Sequence, residues 1–201
     1  MASKTEICNL AISHLGISKE IANVDTEKSQ EAYACKRFFD ICRDTTLRDF
    51  PWPFATRFIA VGLVEEDPTS EWAFSYRYPS DCLVIRRLLS NQRIDTQQSR
   101  IPYKVGSDAS GRLIYTDLED AEIEYTVLID DPNLYPDDFV LALSYRIAMQ
   151  VAARITGGDP FKVGDKAALM YQLELTRAQA ASANEEFLGL QPESEFTRAR
   201  D

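Results

Sequence analysis

Residues 29–55 read SQEAYACKRFFDICRDTTLRDFPWPFA. This stretch holds two of the chain's four cysteines, one of its two tryptophans, and five aromatic residues between Phe38 and Phe54. Cys35, Phe38, Phe39, Cys42 and Thr46 lie along one helical stripe that Phe50 continues, while Lys36, Arg37, Asp40, Arg43 and Asp44 fall mostly on the other side. The spacing predicts an amphipathic helix from about Ser29 to Asp49. Pro51 stops it, because proline supplies no amide hydrogen and disfavours helical geometry at Phe50. From Phe54 to Val61, β-branched and aromatic residues then read as a strand. Here a helical unit passes to a sheet through an aromatic turn.

On the N-terminal side, Ser3 followed by Glu6 is a capping-box pattern. Ile7, Leu10, Ala11 and Leu15 recur at helical spacing before Gly16 ends the element. Residues 17–28 are polar and loop-like, with Asp25-Thr26 as a candidate cap for the next helix. On the C-terminal side, Glu65-Glu66-Asp67-Pro68 reads as a loop. Residues 72–78 alternate until Pro79-Ser80-Asp81, residues 82–89 form a largely buried strand, and 90–100 form a polar loop. Residues 102–105 and 112–116 read as a hairpin around a turn spanning Gly106 to Gly111, and 121–129 alternate with Glu122 and Glu124 outward.

After Pro132 the chain is helical again. Asp137 and Asp138 suit a helix start, and Val140, Leu143, Ile147, Val151 and Ile155 mark one face until Gly157-Gly158. A last helix is expected from Lys162 or Asp165 to Phe187, with a small-residue stretch at 178–183 suited to close packing. The expected fold class is α+β: a helical bundle from residues 1–50 and 132–187, an inserted antiparallel β-rich lobe at 51–131, and an extended tail at 188–201.

The chemistry-bearing residues are sparse in pattern. The cysteines Cys8, Cys35, Cys42 and Cys82 have no CxxC spacing and there is one histidine, so a structural zinc site is not expected; buried free thiols are. His14 has no orienting partner in sequence and reads as a packing or surface residue. The Gly106–Gly111 segment lacks the following Lys-Ser/Thr of a phosphate loop. The carboxylates at 65–67, 117–120, 130–131 and 137–138 show no spacing that singles out a pair. No catalytic, metal or cofactor residues are therefore assigned. The net charge of −10 argues against a nucleic-acid-binding surface of Lys and Arg. No run of about 18 apolar residues exists, and a soluble protein of a reducing cytoplasm is expected. Trp52, Phe54, Phe58, Trp72, Phe74, Tyr76 and Tyr78 crowd into 27 positions. Trp52 and Phe54 are expected in a core; the outward half of 72–78 is open between core and protein interface.

Several short motifs occur in order over residues 32–156. They are Ala32-Tyr33, Arg43-Asp44, Leu47 and Phe50-Pro51-Trp52-Pro53-Phe54-Ala55-Thr56, then Tyr76-Arg77-Tyr78-Pro79-Ser80-Asp81-Cys82-Leu83. Leu113-Ile114-Tyr115-Thr116-Asp117 and Glu124-Tyr125 follow, then Tyr135-Pro136-x-x-Phe139, Ala142-Leu143, Ala148, Ala152-Ala153 and Ile155-Thr156. Together they resemble the signature of the head-to-tail adaptor proteins of short-tailed phages, the tail tubular protein A family. The resemblance implies a structural virion protein and not an enzyme. It implies a homo-oligomer, a twelve-fold ring between the portal protein and the next tail or nozzle protein, with genomic DNA passing through the channel without specific binding. It also implies residence in the tail or neck of the virion, after assembly in the host cytoplasm.

On that reading the tail docks on the portal through Phe187, Leu190 and Phe196 as apolar anchors and Arg198 and Arg200 as charged ones. Tyr33, Trp52 and Phe54 form the joint between bundle and lobe. The alternatives are a different neck connector or head-completion protein and, from the carboxylates alone, a hydrolase of cell-envelope glycan.

Overall fold

A computed structural model describes residues 2–89, 100–159 and 161–185. It shows four helices and two antiparallel sheets, an α+β fold with helices at both ends and the β region between them. Helix α1 (Lys4–His14) starts as its sequence predicts: Ser3 Oγ accepts from the Glu6 amide at 3.2 Å, and Glu6 accepts from the Ser3 amide at 2.6 Å. Gly16, at φ +76°, turns the chain away. The linker is held by Asn9, whose side chain both donates to the Ile21 carbonyl (2.9 Å) and accepts from the Ile21 amide (2.8 Å).

Helix α2 (Gln30–Asp49) is capped by Ser29, not by Asp25-Thr26, whose amides are instead turned onto the Asn23 side chain. Its buried face carries Cys35, Phe39, Cys42, Thr46 and Leu47. Arg43 departs from the sequence expectation, being buried and not on the solvent side. Asp44 and Asp130 surround its guanidinium at 2.8 and 2.7 Å, so the charge enters the protein already paired.

Residues 53–55 form a 3-10 turn, so the first strand begins at Thr56, two residues later than its composition predicts. The strands are β1 (Thr56–Ala60), β2 (Leu63–Thr69), β3 (Trp72–Arg77), β4 (Cys82–Leu88), β5 (Lys104–Asp108), β6 (Gly111–Thr116) and β7 (Glu122–Val127). They make an inner sheet of order β1-β7-β4 and an outer sheet of order β2-β3-β6-β5.

Two readings of the β region need correction. Residues 65–68 are not a loop; they belong to β2. As an edge strand it tolerates Pro68, and an irregularity between Glu66 and Thr69 absorbs Asp67 at φ +50°. The 106–111 segment is mostly strand, and the hairpin turns through Ala109-Ser110 alone. Gly106 is needed because the Tyr115 ring lies across it: a Cβ there would come within 2.6 Å of Tyr115 Cε2. The polar segment at 90–100 lies, but for Arg100, outside the described residues.

Helix α3 (Asp137–Ile155) packs against α1, α2 and α4 (Val163–Glu185). It is buried around more of its circumference than one stripe would be. Phe139, Ala142, Ser144, Ala148 and Ala152 are covered along with Leu143, Ile147 and Val151. Alanines at these positions let neighbouring backbones come close. Gly164 of α4 sits where a Cβ would be 3.0 Å from Ala152 Cβ. His14 is a packing residue: its ring stacks on Tyr145 at 3.8 Å and its Nε2 lies 3.0 Å from Ser144 Oγ. Burial depresses its pKa. The four thiols are free and buried, and burial pushes that of Cys42 up to about 12, which leaves it protonated and unreactive.

Candidate protein interface

Where α2 hands over to the lobe, aromatic side chains from distant parts of the sequence pack together. Trp52 is 1% exposed; its indole donates to the Thr46 carbonyl at 2.8 Å, closing the last turn of α2. Its ring meets Phe50 edge-on at 5.2 Å and Phe139 at 5.0 Å. Phe54 contacts Phe139 at 5.1 Å, and Tyr135 contacts Phe139 at 4.8 Å. Such edge-to-face pairs add to the area they bury. The Tyr135 hydroxyl donates to the Ile129 carbonyl at 2.7 Å, and burial raises its pKa to about 12. Trp52 and Phe54 therefore sit together at this seam.

Tyr33 does not join them. It is 62% exposed, because Ala32, Cys35 and Phe39 take the inward face of α2 and residue 33 lies one helical step off it.

The seam also depends on a residue that sequence reasoning passed over. Arg86 of β4 donates to the carbonyls of Leu47 (3.1 Å), Arg48 (3.0 Å) and Phe50 (2.9 Å), and through Nε to Thr126 Oγ1 (2.8 Å). It satisfies carbonyls that the end of α2 leaves without intrahelical partners, and its positive charge suits the negative end of the helix dipole. Burial lowers its pKa. Its only trace in the sequence is an arginine pair inside an otherwise apolar strand.

A second polar knot joins three helices. Arg146 of α3 donates to Asp49 of α2 and to the Tyr171 hydroxyl of α4 (2.7 Å), and that hydroxyl donates to Asp49 at 2.6 Å. Burial, followed by the hydrogen bond to Asp49, raises the Tyr171 pKa to about 12. An open groove of about 470 Å³ lies over the knot, with Met149, Asp165 and Leu169 on its walls. The polar groups on its floor bond one another and hold α2, α3 and α4 in register. Separations of 97 and 122 residues left this cluster without a local signature.

Four of the carboxylates named in the sequence have structural partners. Asp117 accepts from the Ala73 amide (3.0 Å), Asp130 pairs with Arg43, Asp131 caps Asn133, and Asp138 accepts from the Phe139 amide. Among the described residues no group of three or more His, Cys, Asp or Glu side chains is arranged to hold a metal ion. No helix among them is long and apolar enough to cross a membrane.

What the surface offers instead is exposed apolar area. Ile41 stands with Tyr33 on α2, Leu169 and Leu173 on α4, and Phe58, Ile59, Leu63 and Val64 on β1 and β2. Exposed aromatic and aliphatic groups grouped by element are the raw material of protein interfaces. Phe187, Leu190, Phe196, Arg198 and Arg200 lie outside the described residues, as does the whole tail at 188–201. No protein-family model matches this chain, and no curated protein matches it either.

Proposed function

We propose that this chain is a structural virion protein, a head-to-tail adaptor of a short-tailed phage that forms a ring on the portal and carries the next tail or nozzle component. The observation that carries the reading is the convergence of its motif segments. Phe50-Pro51-Trp52-Pro53-Phe54 and Tyr135-Pro136-x-x-Phe139 lie about 80 residues apart in sequence but meet in one aromatic cluster. Asp81 of the third segment accepts from the Tyr125 hydroxyl and pairs with Arg57, so it ties β1 and β7 to the turn before β4. The motifs thus make physical sense as one construction: a bundle of both chain ends, locked to an inserted lobe.

The charge supports the same reading. Twelve copies at −10 each would total −120, which suits a channel that DNA crosses without adhering. The exposed apolar groups on helices and lobe supply surface for neighbouring subunits.

The test is to incubate the purified protein with portal-containing heads and count copies by native mass spectrometry and electron microscopy. Twelve copies seated on the portal are expected. Deleting 188–201 is expected to leave the circular dichroism spectrum and melting temperature unchanged and to abolish attachment. Normal attachment by the truncated protein removes the portal-docking role from the tail. Density for the protein in some other ring of the neck makes it a different connector, and no association with any neck component overturns the reading.

A further inference from the structure

The outer sheet ends on two strands of opposite character. Edge strand β2 exposes Leu63, Val64, Glu65, Glu66 and Asp67. Edge strand β5, at the other end of the same sheet, exposes Lys104 and Val105, and the neighbouring Arg112 of β6 lies over the Tyr78 ring at 3.9 Å. The one carboxylate on β5, Asp108, is taken up by both terminal nitrogens of Arg77 at 3.1 Å. Among the described residues Glu65, Glu66, Lys104 and Arg112 have no ion-pair partner within their own chain. Beside β5 opens a groove of about 260 Å³ lined by Arg48, Tyr78, Tyr103, Val105 and Arg112. One edge is thus acidic and the other basic, in a chain that is acidic overall, with Leu63 and Val64 exposed on the first and Val105 on the second.

We propose that the β2 edge of one copy docks against the β5 edge of the next, with Glu65 and Glu66 directed to Lys104, Arg112 and the groove. The partner is a second copy of this chain, and the inference rests on the ring reading above. A contact between two different edges of the same sheet is heterologous, the kind that repeats head to tail and closes into a ring when the rotation allows. Like charges disfavour the two self-pairings, β2 on β2 and β5 on β5, which would stop growth at a dimer. Asp67 at φ +50° and Pro68 end the regular edge after Glu66, so the contact is short and relies on side-chain charge as much as on backbone pairing.

The experiment uses two one-sided variants of the full chain, Glu65→Lys/Glu66→Lys and Lys104→Glu/Arg112→Glu. Each is checked for fold by circular dichroism. Lys104→Glu alone is included because it leaves the Arg112–Tyr78 stack intact. Assembly is read by native mass spectrometry with and without the portal, and by zero-length carbodiimide cross-linking in mixtures of ¹⁵N-labelled and unlabelled protein. In the wild type, mixed-isotope cross-links from Lys104 to Glu65 or Glu66 are expected. Each one-sided double variant is expected to lose them, with assembly falling at least tenfold. An equimolar mixture of the two is expected to assemble again, because each supplies the edge the other lacks.

Wild-type-like assembly of either double variant alone overturns the proposal while leaving the ring reading in place. So does failure of the mixture when both variants are folded. If the wild type assembles neither alone nor on the portal, the ring reading and this inference fall together.

Discussion

Phe50, Trp52 and Phe54 belong to the same apolar stretch of sequence as Phe58, Ile59, Leu63 and Val64, yet the two groups meet opposite fates. Trp52 is sealed and Phe50 nearly so, whereas Phe58 is 61% exposed. Local hydrophobicity does not separate them. What differs is whether a distant segment returns. The Tyr135–Phe139 turn and helix α3 come back over the first group, while the second lies on two edge strands with nothing described on their outer sides. Burial of these two groups is decided by the chain's re-entry after the lobe, and what it does not cover stays exposed.

The contrast is tested most severely at Trp52. Trp52→Ala is expected to cost about 3–5 kcal/mol, the range for emptying a buried aromatic site, read from urea denaturation. A loss below about 1 kcal/mol would mean that the seam holds without it.

Arg86→Met comes next. It keeps much of the stem but strips the end of α2 of its donors, at about 2–3 kcal/mol for charged hydrogen bonds lost to buried acceptors. Arg86→Lys should recover only part, since one ammonium cannot reproduce the planar fork.

Tyr171→Phe is expected to cost about 1 kcal/mol at neutral pH. It has a further signature in base. The folded phenol ionises near 12 and the unfolded one near 10, so its stabilisation is whole below pH 10 and is lost as the pH rises to 12. Denaturation midpoints of the variant should therefore fall less steeply over that window than those of the wild type.

Phe58→Ser is the smallest effect, within about 0.5 kcal/mol. A large loss there would show that the lobe's outer side is covered after all.

Most helix ends are legible because they carry their own punctuation: Ser3 with Glu6, Pro51, Gly16 and Gly157-Gly158 act within a few residues of where they stand, whereas the α2 cap is Ser29 and not the Asp25-Thr26 pair that the sequence offers. Edge strands were harder. Glu65-Glu66-Asp67-Pro68 has loop chemistry, and only the pairing of Glu65 with Ser75 and Glu66 with Phe74 makes it a strand. Arg43 was misplaced because charge alone says solvent, and the compensating Asp130 lies 87 residues further on. Tyr33 is assigned to the joint with the Ala32-Tyr33 motif of the resemblance, but one residue along a helix turns the side chain by about 100°, so that Ala32 is buried and Tyr33 is exposed. Of the seam, the aromatic members were visible as a cluster of types. Arg86 and the Asp49–Arg146–Tyr171 knot were not, because a polar residue's partner is written in no periodicity.

The placement of α3 has a consequence for synthesis. Helix α2 ends at Asp49 and α3 at Ile155, 106 residues later. At about 5–20 residues per second on a ribosome, that is a delay of about 5–20 s. Through that interval Cys42 and Trp52 wait without the helix that covers them, while every described strand of both sheets has been synthesised by Val127. The two ends of the bundle can meet only after the whole lobe between them has been synthesised. A chain halted before residue 155 would carry a paired lobe and an open apolar helix, a species prone to aggregate and to need a chaperone.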